Sequence, residues 1–173
     1  MSLVGIELEN GGVLLKFTET SAESNGARHV QEARYPARSP QPPYHSHPKQ
    51  DERFTIVEGA LRFHVDGVDH HVKAGEAIDI AKGARHWANN PHDAPALATW
   101  ETRPALRTAE FFVTMSRAMK GRAKPRLVDA MAILSEYRDE FQLAKPPVLV
   151  QRVLFTCLAP FGRRALRESR AVR

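Results

Sequence analysis

The sequence predicts a mainly β domain of short strands, a sandwich or barrel, followed by an α-helical C-terminal extension. Three observations carry this. Apolar residues recur at every second position in Phe54/Ile56, Leu61/Phe63/Val65 and Ile78/Ile80, the period of a strand with one buried face. Turn dipeptides, among them Asn10-Gly11, Glu58-Gly59 and Asp66-Gly67, separate such runs at short intervals. After Pro104 the period changes to that of a helix, with Phe111, Met115 and Met119 four apart beside Phe112.

In chain order, residues 3–17 read as two strands around Asn10-Gly11, with Val13, Leu15 and Phe17 on one face. Thr18 to Gly26 is a polar loop. Ala27 to Tyr35 forms another strand, on which His29 is expected at the surface. Pro36, Pro40, Pro42 and Pro43 exclude helix and hold the approach to His45 extended. Hairpins follow to Val72, then a turn at Lys73 to Gly75, a strand around Ile78 and Ile80, a turn at Gly83, and strands from His86 and over Leu97 to Glu101.

In the extension the first helix stops at Gly121. Pro125 starts a second helix, with Leu127, Met131, Leu134, Tyr137 and Phe141 along one side. Pro147 starts a third, which Pro160 breaks after Ala159. That third helix is apolar nearly all round, with Gln151, Arg152 and Thr156 as its narrow polar wedge. Such a helix needs cover: the barrel first, then a second subunit in a homodimer, then a membrane surface beside Arg163, Arg164 and Arg167. Residues 1–104 are thus read as the β-barrel and 105–173 as the helical extension.

The 173 residues allow one domain with a sizeable core. No run approaches the roughly 18 apolar residues of a membrane span, and no signal pattern opens the chain. A single Cys157 excludes an internal disulfide, and a cytoplasmic location is the expectation. The net charge of +5 is uneven, −3 over residues 1–104 and +8 over 105–173. With no recognition motif beside it, the basic tail reads as a solvated helical surface; no nucleic-acid partner is expected, and weak membrane-surface association is the residual option.

The stretch from Tyr44 to Asn90 carries the chemistry. His45 and His47 lie two apart, so a strand turns both to one side. Glu52 follows after four residues and can start the next inward face. His86 comes from a separate hairpin and is expected to close the site across the barrel. Imidazole and carboxylate suit Fe, Mn, Ni, Co, Cu or Zn and discriminate poorly among them. His64, His70, His71 and His92 have no comparable support and are read as surface residues, and Asn90 as a turn-holding side chain.

This stretch resembles the cupin superfamily. Its first motif is Gly, five residues, His-x-His, three or four residues, Glu, six residues, Gly. Here His45, His47, Glu52 and Gly59 fall in place, and Ser39 stands at the first Gly position. The second motif is Gly, five residues, Pro-x-Gly, two residues, His, three residues, Asn. Gly75, Gly83, His86 and Asn90 match, and Ala81 replaces the proline. The resemblance covers roughly residues 30–102. It implies a double-stranded β-helix, or jelly-roll barrel, and one divalent transition-metal ion on His45, His47, Glu52 and His86.

Cupins serve many chemistries, so the fold does not choose one. The first reading is a metal-dependent enzyme acting on a small organic molecule by oxygen-dependent oxidation, as in a dioxygenase. Its rivals are a non-catalytic small-molecule-binding or sensing module and a redox-neutral isomerase or lyase. Tyr35, Arg38, Tyr44 and Trp100 border the motifs and are the candidate substrate-binding residues. An arginine at the mouth, Arg38 or Arg103, would suit a carboxylate; surface pairing is the commoner fate of such a residue.

Overall fold

The computed structural model describes residues 2–119, 121–122, 124–147, 149–151 and 153. Among these residues the elements follow in the order β1 (Glu7–Asn10), β2 (Val13–Glu19), β3 (His29–Tyr35), β4 (His45–Ser46), β5 (Asp51–Glu58), β6 (Ala60–Val65), β7 (Val68–Lys73), β8 (Ala77–Ile80), β9 (His86–Asn89), β10 (Ala96–Arg103), α1 (Thr108–Met119), α2 (Leu127–Glu136) and β11 (Gln142–Leu143). They build two antiparallel sheets, ordered β1-β2-β3-β10-β5-β8 and β11-β4-β9-β6-β7.

The alternation read from the sequence sets the register. On β5, Glu52, Phe54 and Ile56 are buried while Asp51, Arg53 and Thr55 are exposed. On β6, Leu61 and Phe63 turn inward to meet them. Leu15, Phe17, Ala33, Phe54, Ile56, Leu61 and Phe63 form one core between the sheets, each nearly free of solvent contact. The β6–β7 hairpin turns on Asp66-Gly67, with φ of 46° and 91°, as that dipeptide predicts. The first hairpin turns one residue later than expected, on Gly11-Gly12.

Gly59 is a site where only glycine fits. Its φ is +73°, and a Cβ there would stand 2.8 Å from the Pro95 carbonyl oxygen. The β5–β6 turn therefore lies directly against the chain entering β10.

Three expectations need correction. His29 is fully buried on the inner face of β3, because the strand's inward set is His29, Gln31, Ala33 and Tyr35. The second helix ends at Glu136 rather than running to Phe141. Arg107 Nη2 donates to the Glu136 carbonyl at 2.6 Å, and the chain then turns through Tyr137–Glu140 into β11. Leu127, expected on the buried stripe, is 67% exposed. Most of the expected third helix lies outside the described residues, as do Cys157 and the arginines after it. Among the described residues, no helix is long and apolar enough to cross a membrane.

Candidate metal centre

The proline-rich approach delivers His45 onto β4, which β9 joins by a direct His45–His86 pairing. His47 follows on the turn out of β4, and Gly83 N–H donates to its carbonyl at 2.9 Å, tying that turn to the one before His86. Glu52 faces the three imidazoles from β5 in the opposite sheet. The expectation that His86 closes the site across the barrel is therefore corrected. His86 is the neighbour of His45, and Glu52 makes the crossing.

One ring nitrogen from each of His45, His47 and His86 lies within 4.8 Å of the other two, and all three residues are buried. Two ligands about 2.1 Å from one ion stand at most about 4.2 Å apart, so small side-chain rotations bring the three together. Their protonation is fixed from behind. His45 Nδ1–H donates to the Pro43 carbonyl at 2.7 Å, His47 Nδ1–H to Glu140 at 2.6 Å and His86 Nδ1–H to Ala84 at 3.1 Å. A carbonyl only accepts, so each Nδ1 carries the hydrogen and each neutral ring offers its Nε2 lone pair.

Glu52 lies 3.3 Å from His47 Nε2 through Oε1 and 2.9 Å from His86 Nε2 through Oε2. Neither contact has a hydrogen bond's alignment, and both His47 Nε2 and Glu52 Oε2 are buried without a hydrogen-bond partner. Unpartnered buried polar atoms are uncommon, and a shared ion accounts for both. Trp100 Nε1–H donates to Glu52 Oε1 at 2.8 Å and holds the carboxylate in place.

The electrostatics keep His45, His47 and Glu52 in ligand form. Burial, aided by His86 and His47, pushes the His45 imidazolium down to about 3. Burial lowers His47 as well, against the pull of Glu52. Burial alone would raise Glu52, but His47 and His86 outweigh it and hold the carboxyl at about 2. For His86 burial is overcome by the Glu52 charge, and its pKa rises. Glu52 is thus ionised and His45 neutral near pH 7.

The extension reaches the centre directly. β11 pairs with β4, placing Leu143 opposite His45 and Gln142 opposite Ser46. Phe141 stacks on His45 at 4.5 Å and 16°, and meets His47 edge-on at 5.8 Å. Arg107 anchors the segment: its backbone N–H and Nε donate to Glu140 Oε1, and Nη1 donates to Glu136 Oε1. Gln50 bonds through Nε2 to the Pro104 and Ala105 carbonyls and to Thr108 Oγ1, fixing the start of α1 against the loop before Glu52.

Of the substrate-binding candidates, Trp100 touches the centre, and Tyr35 is buried with its phenol raised by burial and by Glu52. Tyr44 is turned toward His64, and Arg38 bonds Asp93 in solvent. Arg103 pairs with Glu101. Asn90 does hold its turn: it donates to the Pro36 and Ala94 carbonyls and accepts from His92 N–H. Ser39 has taken over part of its missing glycine's place, accepting from Asn90 N–H through Oγ at 2.8 Å. Neither Glu140 nor Phe141 is among the site residues that the sequence predicts. Phe141 was visible as an apolar position on the wrong element, whereas the Glu140 contribution is a backbone carbonyl, which leaves no sequence signal.

A comparison with known proteins agrees with this geometry. The family model for the cupin domain matches residues 31–100. Among solved structures, a cupin resembling RmlC from Shewanella frigidimarina superposes with a TM-score of 0.53 at 18% identity, over 61% of this chain and 88% of that one. KdgF from a Halomonas species gives 0.53 at 14% identity, over 60% and 92%. An uncharacterised double-stranded β-helix protein from Klebsiella pneumoniae gives 0.50 at 19% identity, over 59% and 80%. These likenesses speak to fold alone. No curated protein matches significantly. With two facing antiparallel sheets, both motifs at one end and a family match over the same strands, the chain carries a cupin domain over residues 31–100.

Proposed function

We propose that this protein is a metal-dependent enzyme acting on a small organic molecule, with oxygen-dependent oxidation as its first reaction class. His45, His47, Glu52 and His86 would hold one divalent transition-metal ion. The observation that carries the reading is the pair of unpartnered buried atoms, His47 Nε2 and Glu52 Oε2, among three imidazoles whose Nδ1–H groups are already committed. When bound, such an ion supplies Lewis acidity and open positions for substrate or dioxygen.

The chain's own residues do the rest. Glu52 stays ionised and cannot act as an acid near neutrality. Trp100 fixes one carboxylate oxygen, which keeps the other toward the imidazoles. Phe141 shields the His45 ring from bulk water. The barrel, residues 1–104, would thus carry the chemistry and the extension would cover it.

Metal analysis of the purified wild type beside His47→Ala and His86→Ala tests the centre. We expect one ion per wild-type chain and strong depletion in both variants; equal content in all three overturns the assignment. Oxygen uptake by the Fe, Mn or Cu form tests the reaction class. One observation favours the rival binding module: all four residues are no more than 8% exposed, and the extension lies over them. A tight complex with a chemically unchanged ligand would decide for that module.

A further inference from the structure

The inner face of the six-stranded sheet carries a polar row that the metal centre does not use. Thr102 on β10 pairs directly with His29 on β3 and with Glu52 on β5. Gln31 stands two residues along from His29 on the same face. All three outer members are sealed from solvent, with His29 and Gln31 at 0% and Thr102 at 1% exposure. Aliphatic side chains would fill such positions at no polar cost, as Ala33 and Ala98 do next door.

The donors and acceptors of this row are specific and open. Gln31 Oε1 lies 3.1 Å from His29 Nε2, and an amide oxygen only accepts, so His29 Nε2 carries the hydrogen. That leaves His29 Nδ1 as a bare acceptor, Gln31 Nε2 as a donor, and Thr102 Oγ1 able to do either. None of the three atoms has a partner in the protein. Ten buried side-chain atoms among the described residues share that condition, and five of them are these three with His47 Nε2 and Glu52 Oε2. Such clustering marks a place built for something other than the chain itself.

We propose that His29, Gln31 and Thr102 form a ligand subsite beside the metal centre, which takes the uncharged, hydroxyl-bearing end of a small molecule. The inference rests on the metal-centre reading and adds the substrate class to it. Burial lowers the His29 pKa, so the ring is neutral near pH 7. Among the described residues no lysine or arginine side chain is buried, so a carboxylate or phosphate at this end would find no counter-charge. A hydroxyl can both donate to His29 Nδ1 and accept from Gln31 or Thr102. Two strand spacings separate His29 from Glu52, about 10 Å, which limits the ligand to a short molecule such as a hydroxylated ketone.

The test titrates dihydroxyacetone and butanone, one hydroxylated and one apolar-ended, into the full chain, both zinc-loaded and metal-free. The chain has two tryptophans, and the Trp100 indole N–H resonance reports the site while Trp87 serves as the internal control. We expect dihydroxyacetone to shift Trp100 alone and to bind at least tenfold tighter than butanone. Thr102→Val and the double variant His29→Leu/Gln31→Leu should abolish that preference with little change in thermal midpoint, because the polar atoms removed have no hydrogen-bond partner outside the His29–Gln31 pair and leucine refills the packing against Phe17. A preference of the same size in wild type and variants overturns the subsite. So does a crystal structure with saturating dihydroxyacetone in which ordered water alone contacts the three atoms. Failure of the metal reading shows separately, as absent zinc in the loaded sample, and the metal-free titration then still decides the subsite.

Discussion

His45 and His86 differ from His47 in where their orientation comes from. The first two donate to carbonyls two residues upstream, at Pro43 and Ala84, so the barrel's own turns set them. His47 donates to Glu140, ninety-three residues downstream in the extension. Two imidazoles are therefore held by local partners, and the third by a distant segment. The extension is a working wall of the centre as well as a cover.

Arg107→Met tests that difference most severely. It strips the guanidinium from Glu140, which is 3% exposed, and removes the hydrogen bond to the end of α2. Breaking a buried ion pair typically costs 3–5 kcal/mol; Arg107 is partly solvated, so we expect about 2–3 kcal/mol in chemical denaturation. Metal affinity should fall by about 10- to 100-fold, as for other losses of ligand-orienting contacts. Unchanged affinity in a folded variant would mean that the barrel orients His47 alone.

Acid probes the same histidines in metal-free protein. A His45 pKa near 3 against 6.5 unfolded means that the folded state refuses a proton which the unfolded chain accepts. Its stabilising contribution is complete above about pH 6.5 and is lost as pH falls toward 3; at pH 5 the loss is about 2 kcal/mol. His47 acts in the same direction, and His86, whose pKa is raised, opposes both. Thermal midpoints should therefore drop between pH 6.5 and 5, and His45→Gln should flatten the slope. A pH-independent midpoint in wild type would show that the site is open to water.

Ser39→Gly restores the family residue but deletes the acceptor for Asn90 N–H. We expect a loss of about 1 kcal/mol with metal binding unchanged, since the bond lies remote from the imidazoles. A gain in stability would sink the claim that the serine has been put to use. Lys49→Ala removes the exposed pair with Asp139, a second bridge from the loop after His47 to the extension. Exposed pairs contribute little, so a shift below about 0.5 kcal/mol is expected. A larger effect would move the anchor from Arg107 to Lys49.

What the sequence revealed follows the same division. The alternation around Phe54, Leu61 and Ile78 and the Asp66-Gly67 turn made the barrel legible, because strand period and turn chemistry are local. The spacing of His45, His47, Glu52 and His86 made the candidate ligands legible for the same reason. The burial of His29 is not legible in the sequence because one imidazole on a strand does not say which face is inward, and its register comes from β10. The end of α2 is not legible in the sequence because an arginine twenty-nine residues upstream caps it. Nothing in the chain's apolar pattern marked residues 142 and 143 as a strand, since a two-residue ladder owes everything to its partner, β4.

The bond from His47 to Glu140 has a reciprocal side. If an ion is held more tightly because β11 is docked, then β11 is docked more tightly because the ion is held. Loading the centre should slow amide hydrogen exchange at Gln142 and Leu143 more than at β7, on the opposite edge of the same sheet. The edge of the five-stranded sheet would then act as a reporter of occupancy, turning the state of a buried ion into a change in surface dynamics that another molecule could read.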